Sequence, residues 1–306
     1  MTDRRVLGRV ARLYYEEGLT HAQIAELIGS SRVTVTRMLA EARSEGVVEI
    51  VIHSEEPLFS ELERRLVTEL GLSAAWVAPA SHNSTALGRT GGRALRAVLP
   101  HARSVTVGLS EYVRDAVAHI GELSLPDLEI YPFGGGRPGR HIRSDAHDVG
   151  SALSARVGGT MYALPAQLIA RDIASAQSLL GDPHLQSTLR AAAAADLAIV
   201  GVGGLPRAQA FLADWVEPAV FDELRGLGAI GDLSVRFFDR DGEPIASDLD
   251  RRVIGLTLEQ MRAIPTRLII AGGPEKTEVI RTAVTSGIAT ALVTDNEVAQ
   301  ALLDGV

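Results

Sequence analysis

The first fifty positions carry apolar residues at helical spacing in three stretches that turn residues separate. Within each stretch the apolar residues recur every three or four positions, which is the spacing of one helix face. The three stripes are Leu7, Val10, Ala11 and Tyr14, then Ile24, Ala25 and Ile28, then Val35, Met38, Leu39 and Ala42. Gly18 and Gly29 close the first two stretches, where a left-handed cap is typical. The pattern predicts three short helices joined by tight turns.

Polar residues at the starts of the second and third helices predict a DNA-binding helix-turn-helix. Thr20 and Gln23 have the spacing of a capping box, and Ser31 is a candidate N-cap. A second helix with exposed Arg and Thr at its start can lie in the major groove, where Arg bonds guanine and Thr contacts phosphate or a thymine methyl group. The alternative is a small helical module with solvated arginines. The predicted DNA-contacting residues are Thr20, Gln23, Ser31, Arg32, Val33, Thr34, Thr36 and Arg37.

A run of β-branched residues over 47–52 predicts a strand that forms half of a wing beside the recognition helix. The next residues, 53–57, are polar and acidic and end on a proline, which indicates a domain boundary. We therefore predict a winged helix-turn-helix DNA-binding domain, otherwise all-α, over residues 1–55. The remaining residues, 56–306, are predicted to form an effector-binding and oligomerisation domain.

The larger domain alternates short apolar runs with runs of helical spacing. Several of the short runs are apolar on both faces, which suits a parallel sheet covered by helices on either side and predicts an α/β doubly wound fold. The predicted strands span 75–77, 105–108, 128–133, 160–164, 197–202, 268–271 and 291–293. A helical stripe before them could pack on its own domain or pair with a second subunit, and it consists of Phe59, Leu62, Leu66 and Leu70.

Glycine-rich loops follow four of the predicted strands. Sheets of this kind bind ligands at the carboxyl ends of their strands, and backbone N–H groups near a helix start attract anions. One such loop is more often a simple turn, but four in one sheet favour a binding site. The loops span 108–110, 133–140, 201–204 and 271–276. The predicted effector-contacting residues are Gly108, Ser110, Gly134, Gly135, Gly136, Arg137, Gly203, Asp232 and Lys276.

Two charged residues in this region indicate what the ligand is like. Lys276 is the only lysine among the 30 basic residues of the chain. Its compact ammonium beside a glycine loop suits a phosphate oxygen, and the alternative is a chance surface lysine. Asp232 lies among small and apolar residues, where it could accept hydrogen bonds from sugar hydroxyls or cap a turn. Farther along the chain, Asp241 and Gly242 form a hairpin turn signal.

Composition narrows the possible function classes. Apolar residues make up 46% and charged residues 22% of the chain, which is the balance of a globular protein with a packed core. There is no cysteine, which excludes disulfides and cysteine-bound metals, and no spacing of His, Asp or Glu predicts a metal site. No apolar run approaches the roughly 20 residues that span a bilayer. We expect a cytoplasmic protein with no membrane partner, no metal and no cofactor.

The net charge of −8 is unevenly distributed along the chain. Residues 1–52 hold seven arginines and seven acids, so the whole negative excess lies in the remainder. A segment that is neutral overall can present a basic face to phosphates, while the acidic body is repelled from DNA. The distribution is therefore compatible with double-stranded operator DNA as a partner of the N-terminal domain.

The chain resembles the SorC family of sugar-responsive transcriptional regulators. In the N-terminal domain the resemblance covers residues 11–20 (ARLYYEEGLT), 31–32 and 41–48 (EARSEGVV). In the larger domain it covers 231–232, 236–239 (RFFD), 253–260 (VIGLTLEQ), 271–273, Lys276 and 292–295 (LVTD). The resemblance implies a larger domain related to sugar-phosphate isomerases and assembly into dimers or tetramers. It also implies that Asp232 faces the ligand and that Lys276 faces a phosphate.

One loop departs from the family pattern. Where the family has a Gly-x-Ser-Trp-Gly motif, residues 108–112 read Gly-Leu-Ser-Glu-Tyr. A carboxylate at Glu111 would repel a phosphate unless Arg137, Arg140 or Lys276 balances it. The side chain of Tyr112 also replaces the last glycine of the motif, where backbone would approach the ligand. The predicted effector is a small sugar, polyol or sugar phosphate, and a phosphate is less expected here than in the family.

Together these features predict a DNA-binding regulator of a carbohydrate-utilisation operon, self-associated as a dimer or tetramer. One alternative is a sugar-phosphate isomerase or deaminase with a helical appendage. Such an enzyme needs a general base, usually a histidine near the pocket, and residues 203–207 contain neither an acid nor a histidine. His141 and His147 follow another glycine loop, but no motif supports them. The other alternative is a DNA-binding protein whose larger domain serves only to oligomerise.

Overall fold

The chain divides into two compact units, Met1–Glu56 and Pro57–Val306, and each has its own hydrophobic core. The computed structural model describes residues 3–48, 58–80, 85–136 and 146–305. Within these ranges no helix is long and apolar enough to cross a membrane.

The N-terminal unit contains the three helices that the apolar stripes predict. They are α1 (Arg4–Tyr15), α2 (His21–Leu27) and α3 (Arg32–Ser44). Tyr14, the last residue of the first stripe, is 37% exposed, and its ring lies beside His21 at the surface rather than in the core. The other stripe residues meet in one core, whose fully or nearly buried members are Leu7, Val10, Ala11, Ile24, Ala25, Val35, Leu39 and Ala42.

Side chains cap the starts of α2 and α3. The Thr20 N–H donates to Gln23 Oε1 at 2.9 Å and the Gln23 N–H donates to Thr20 Oγ1 at 3.4 Å, which is the predicted capping box. Ser31 Oγ accepts from the Thr34 N–H at 3.1 Å. Gly18 has a φ of 69°, a left-handed conformation that glycine adopts without a steric penalty. Local turn chemistry therefore sets where these helices begin.

The predicted wing lies mostly outside the described residues. Its first two positions, Val47 and Val48, are half-buried against the three-helix core and are not in a strand. Residues 49–52 fall in the part of the chain that the structure does not describe. The wing therefore stays a prediction.

The larger unit alternates helices and strands along its described residues. The helices are α4 (Ser60–Leu70), α5 (Thr85–Val98), α6 (Glu111–Ala118), α7 (Ala146–Val157), α8 (Ile173–Leu180), α9 (Pro183–Ala193), α10 (Leu205–Leu212), α11 (Pro218–Gly226), α12 (Asp248–Arg252), α13 (Leu258–Ala263), α14 (Thr277–Thr285) and α15 (Asn296–Leu303). The strands are β1 (Ala74–Ala78), β2 (Ser104–Val107), β3 (Glu129–Pro132), β4 (Thr160–Met161), β5 (Leu197–Val200), β6 (Gly203–Gly204), β7 (Gly231–Leu233), β8 (Arg236–Phe238), β9 (Thr266–Ile270) and β10 (Ala291–Asp295).

Seven strands form one parallel sheet in the order β1-β10-β9-β5-β2-β3-β4. From β2 the chain proceeds outward through β3 to β4, and from β5 it proceeds in the opposite direction through β9 to β10. The direction of winding therefore reverses between the neighbours β2 and β5, which is where sheets of this class open a crevice. Each of the seven predicted strands overlaps one strand of this sheet.

Both faces of the sheet are buried, as the doubly apolar runs predict. In β5, Ala198 and Val200 enter a core with α4, α9, α14 and α15, whereas Leu197 and Ile199 enter a second core with α5, α6 and α7. The apolar stripe before β1 packs on its own unit, since Leu66 of α4 is fully buried in the first of these cores. A smaller antiparallel sheet, β6-β7-β8, has a separate core with α10, α11 and α12.

Glycines allow α5 to pack closely against α6, whose first residues carry candidate site chemistry. Gly88, Gly91 and Gly92 lie on one face of α5, and a Cβ on Gly91 would lie 2.6 Å from the Ala116 Cβ of α6. Real Cβ atoms do not approach so closely, so an added methyl group would displace α6. The position of α6 therefore depends on this glycine face.

The substitution Gly91→Ala should lower the free energy of unfolding by about 1–3 kcal/mol, because overpacking forces backbone shifts. Gly226→Ala is the matched control, since it lies in α11 with no atom within 4 Å of an added Cβ. That variant should keep the wild-type stability or gain up to about 1 kcal/mol from helix propensity. Urea denaturation of both variants measures the difference, and equal stabilities would contradict the packing interpretation.

Candidate functional site

A cavity of about 300 Å³ lies at the carboxyl ends of β2 and β5. This is the position where the winding of the sheet reverses, and open α/β sheets bind ligands at such positions. The loops after β2, β5 and β9 contribute walls, together with the turn between β7 and β8 and the helix α10. Its lining includes Ser110, Glu111, Tyr112, Gly203, Arg207, Phe211, Asp232, Ser234, Val235 and Lys276.

The hairpin of β7 and β8 brings Asp232 and Ser234 to the cavity. Its turn consists of Ser234 and Val235, with φ values of 50° and 70°. This left-handed conformation is strained for any residue with a side chain, above all a β-branched one. Asp232 Oδ2 accepts a hydrogen bond from the Val235 N–H at 2.9 Å and holds the turn. The turn signal at Asp241 and Gly242 is confirmed, since Gly242 has a φ of 79°, but the tighter turn was not predicted.

Two polar atoms of this hairpin have unused hydrogen-bonding capacity. Ser234 Oγ is buried and has no hydrogen-bond partner among the described residues. The only hydrogen bond to the Asp232 carboxylate from the described part of the chain goes to Oδ2. An unpaired buried polar group costs about 1–3 kcal/mol, so a ligand that bonds these atoms would stabilise the site.

Lys276 enters the cavity from the 3-10 turn Pro274–Lys276, which follows β9. It is only 2% exposed, which contradicts the alternative of a chance surface lysine. Its Nζ lies 4.2 Å from the centroid of the Tyr112 ring, within the range of a cation–π interaction. It makes no ion pair within the described ranges. A buried ammonium without a bonded carboxylate is well suited to an oxygen of a ligand.

Burial brings the pKa values of both charged groups toward neutral pH. Desolvation raises the pKa of Asp232 to about 6, against the opposing effects of the Val235 N–H and the charge of Lys276. Desolvation likewise lowers the pKa of Lys276 to about 8, with help from the Arg207 charge and against nearby carboxylates, Glu275 first. Shifts of this kind are frequent at functional sites. Between these two values Asp232 is negative and Lys276 is positive.

An ion pair joins α6 to α10 at the cavity wall. Arg207 Nη2 lies 2.6 Å from Glu111 Oε2, and both side chains are about half exposed. Three residues were expected to balance this carboxylate. Arg137 and Arg140 lie outside the described residues, and Lys276 makes no ion pair within them. Such an exposed pair adds little stability, but it fixes where the charge of Glu111 lies.

Two of the predicted glycines make room for polar side chains. A Cβ on Gly108 would lie 2.6 Å from Ser234 Oγ, and one on Gly203 would lie 3.1 Å from Asp232 Oδ1. The Gly108 N–H donates to a β5 carbonyl and cannot also bind an anion. Ser110 lines the cavity as predicted, and its hydroxyl also caps α6. Both glycines therefore leave space for polar side chains of the cavity, and the Gly108 amide is not free to bind an anion.

The described part of the glycine loop after β3, residues 133–136, does not line the cavity. Gly134, Gly135 and Gly136 are absent from its lining. The N–H groups of Gly135 and Gly136 each donate to a backbone carbonyl at 2.9 Å, so they have no capacity left for an anion. Arg137 lies outside the described residues. The geometry of the cavity gives no support to the predicted effector contacts of this loop.

The start of α3 presents predicted DNA-contacting residues together at the surface. Arg32, Val33, Thr36 and Arg37 are all exposed, Val33 to 79%. Thr36 Oγ1 donates to the Arg32 carbonyl at 3.0 Å, and within the described residues neither arginine is in an ion pair. Two guanidinium groups are thus available for base or phosphate contacts. Of the other predicted contacts, Thr20, Gln23 and Ser31 already cap helices, and Thr34 donates its N–H to Ser31 Oγ.

Sequence reasoning did not identify three side chains with polar groups that line the cavity, Tyr112, Arg207 and Ser234, nor the aromatic wall residue Phe211. Tyr112 and Ser234 are close in sequence to residues that were singled out, and Ser234 lies two positions from Asp232. Ser234 lies in the turn and not in β7, so the alternation of side chains along a strand does not pair it with Asp232. Arg207 had no local signal, because its partner Glu111 is 96 residues away.

Profiles of two known families match the two units. "Putative sugar-binding domain" matches residues 58–304 and "Crp-like helix-turn-helix domain" matches residues 5–58. Among curated relatives, "Transcriptional regulator LsrR" of Klebsiella pneumoniae subsp. pneumoniae is 27% identical over 311 residues, which covers 99% of this chain and 94% of that protein. The regulator of the same name in Escherichia coli strain K12 is 28% identical, with 99% and 96% covered.

Solved structures agree with these matches. The full-length sorbitol operon regulator SorC from Klebsiella pneumoniae superposes with a TM-score of 0.76 and 25% identity over 99% of both chains. A DeoR family transcriptional regulator from Listeria monocytogenes has a TM-score of 0.70 and 21% identity over 79% of this chain and 98% of its own, which supports the fold alone. Because the sugar-binding profile spans most of the chain and the relatives are regulators rather than enzymes, this chain belongs to the SorC family of sugar-binding, DNA-binding transcriptional regulators.

Proposed function

We propose that this protein binds operator DNA in the cytoplasm through the start of α3 and is controlled by a small sugar, polyol or sugar phosphate in the cavity. The observation that carries the proposal is the convergence of Asp232 Oδ1, Ser234 Oγ and Lys276 Nζ on one cavity with unused bonding capacity. A polyhydroxylated ligand complements this set, because each hydroxyl both donates and accepts hydrogen bonds.

The remaining walls of the cavity suit the carbon skeleton of such a ligand. Tyr112 and Phe211 supply aromatic surface, and small-molecule sites combine apolar walls with a few placed polar groups. A volume of about 300 Å³ lies at the lower end of ligand pockets, so the effector is small. A larger domain that served only to oligomerise would not need this arrangement.

Control of DNA binding by the effector requires at least two states of the assembly. A symmetric dimer or tetramer would match operator half-sites related by the same symmetry. The effector can shift the equilibrium only through different affinities for the DNA-binding and the released state. We therefore include self-association in the proposal, and the larger unit forms the contacts between subunits.

Fluorescence anisotropy tests this function directly. The purified protein is titrated onto labelled DNA from upstream of its own gene, alone and with a panel of sugars, polyols and their phosphates. Specific DNA binding that one compound shifts supports the proposal. Absence of specific binding under every condition would count against the DNA-binding assignment, and the enzyme alternative would then be assayed.

Arg37→Ala and Arg32→Ala should each weaken operator binding about 10- to 100-fold, because a bidentate arginine–guanine contact contributes about 1–3 kcal/mol. Effector affinity should stay unchanged in both variants. Arg171→Ala is the control, since Arg171 is an exposed arginine of the other unit with 89% of its side chain accessible. Operator binding that matches the wild type in both α3 variants would refute the recognition-helix assignment.

Lys276→Met should abolish the response of DNA binding to the effector, because it removes the buried ammonium and keeps an apolar stem in its place. DNA binding without effector should be retained, which also controls for folding. The same anisotropy titrations measure both properties. A variant that still responds fully would exclude a ligand-binding role for Lys276.

Effector affinity should be highest between about pH 6 and pH 8. Below about 6 Asp232 takes up a proton and loses the charge that strengthens its bonds to hydroxyls. Above about 8 Lys276 loses its charge. Calorimetric titration of the identified effector across this range measures the profile, and Asp232→Asn should flatten its acidic side. If the effector affinity of Asp232→Asn still falls below about pH 6, the titration of another group causes that fall.

A further inference from the structure

We propose that the cavity selects an uncharged polyhydroxylated compound and discriminates against its phosphate ester, because Glu111 occupies the positions where a phosphate would bind. This inference rests on the proposed function, since it concerns the same cavity. It specifies the class of effector that the cavity accepts.

The first such position is the start of α6. A helix N-terminus has unpaired N–H groups and a partial positive charge, and both attract anions. Here the first residue of α6 is Glu111, so the chain supplies a carboxylate of its own in that turn. The hydroxyl of Ser110, the N-cap, already accepts the N–H of Val113 at 3.3 Å. An incoming phosphate would therefore approach a negative charge.

The second position is Arg207, the guanidinium of the cavity wall. Its Nη2 lies 2.6 Å from Glu111 Oε2, in a charge-assisted hydrogen bond. A phosphate could use this guanidinium only by displacing the carboxylate or by sharing it at close range. Glu111 thus neutralises the arginine and places its own carboxylate at the helix start.

The charges of the cavity lining are balanced without a ligand. Among the described lining residues, Glu111 and Asp232 are acids and Arg207 and Lys276 are bases. A phosphate ester carries about 1.5 to 2 negative charges near neutral pH, and only Lys276 has no ion-pair partner to offer it. An uncharged ligand leaves the balance intact and still bonds Ser234, whose hydroxyl is buried and unpaired.

Calorimetric titration of the full chain tests this inference with Glu111→Gln, which keeps the shape of the side chain and removes its charge. The matched control is Glu61→Gln, because Glu61 also forms a 2.6 Å ion pair, with Arg64 on α4, and does not line the cavity. The first probe is inorganic phosphate. The second is a set of sugars and polyols, each paired with its own phosphate ester.

Inorganic phosphate should bind Glu111→Gln at least about ten-fold more tightly than the wild type or Glu61→Gln. Any sugar or polyol that binds the wild type should bind at least about ten-fold more tightly than its own phosphate ester. The ratio of these two affinities should be smaller in Glu111→Gln. Equal phosphate affinity in all three proteins would overturn the inference, as would an ester that binds the wild type more tightly than the free compound. The phosphate comparison needs no identified effector. Failure of the proposed function would appear separately, as DNA binding that no compound shifts.

Discussion

The hydrogen bond from the Val235 N–H to the Asp232 carboxylate holds the turn that forms one wall of the cavity. Ser234 and Val235 are both left-handed, at a cost of order 1–3 kcal/mol each, so the turn persists only because its surroundings hold it. Arg236, which is 5% exposed, anchors the following strand through a bond to the Asp250 carboxylate at 2.8 Å. Its guanidinium also donates to the backbone carbonyls of residues 250, 253, 255 and 256.

This anchoring explains how β7, the central strand of the small sheet, can carry a partly buried carboxylate. The hairpin of β7 and β8 has its own apolar core with α10, α11 and α12, so its position does not depend on the main sheet alone. Glycine at 108 then lets the hydroxyl of Ser234 approach β2, and glycine at 203 does the same for the Asp232 carboxylate beside β6. Backbone strain, small residues and a buried arginine act together to hold polar atoms against the carboxyl end of a parallel sheet.

Much of the fold follows from patterns of only a few residues. The main sheet was predictable because several of its strands are apolar on both faces, and two cores do take alternate residues of β5. The starts of α2 and α3 were predictable because Thr20 and Ser31 bond the N–H groups of residues three positions on. Tyr14 belongs to the apolar stripe of α1 but lies at the surface, because helical spacing alone does not distinguish the edge of such a stripe from its centre. The hairpin turn was missed because neither Ser nor Val signals a left-handed conformation.

The sequence by itself determined the helix-turn-helix and the parallel sheet and singled out Asp232 and Lys276 as candidate site residues, because these depend on periodicity, local capping and unusual composition. The tertiary structure alone decided which glycine loops belong to the cavity and which residues meet there. Arg207 reaches Glu111 only through the packing of α10 beside α6, and Tyr112 meets Lys276 only because β2 and β9 flank β5. Such contacts join residues about 100 or more positions apart, and nothing in the local sequence of either partner specifies the other.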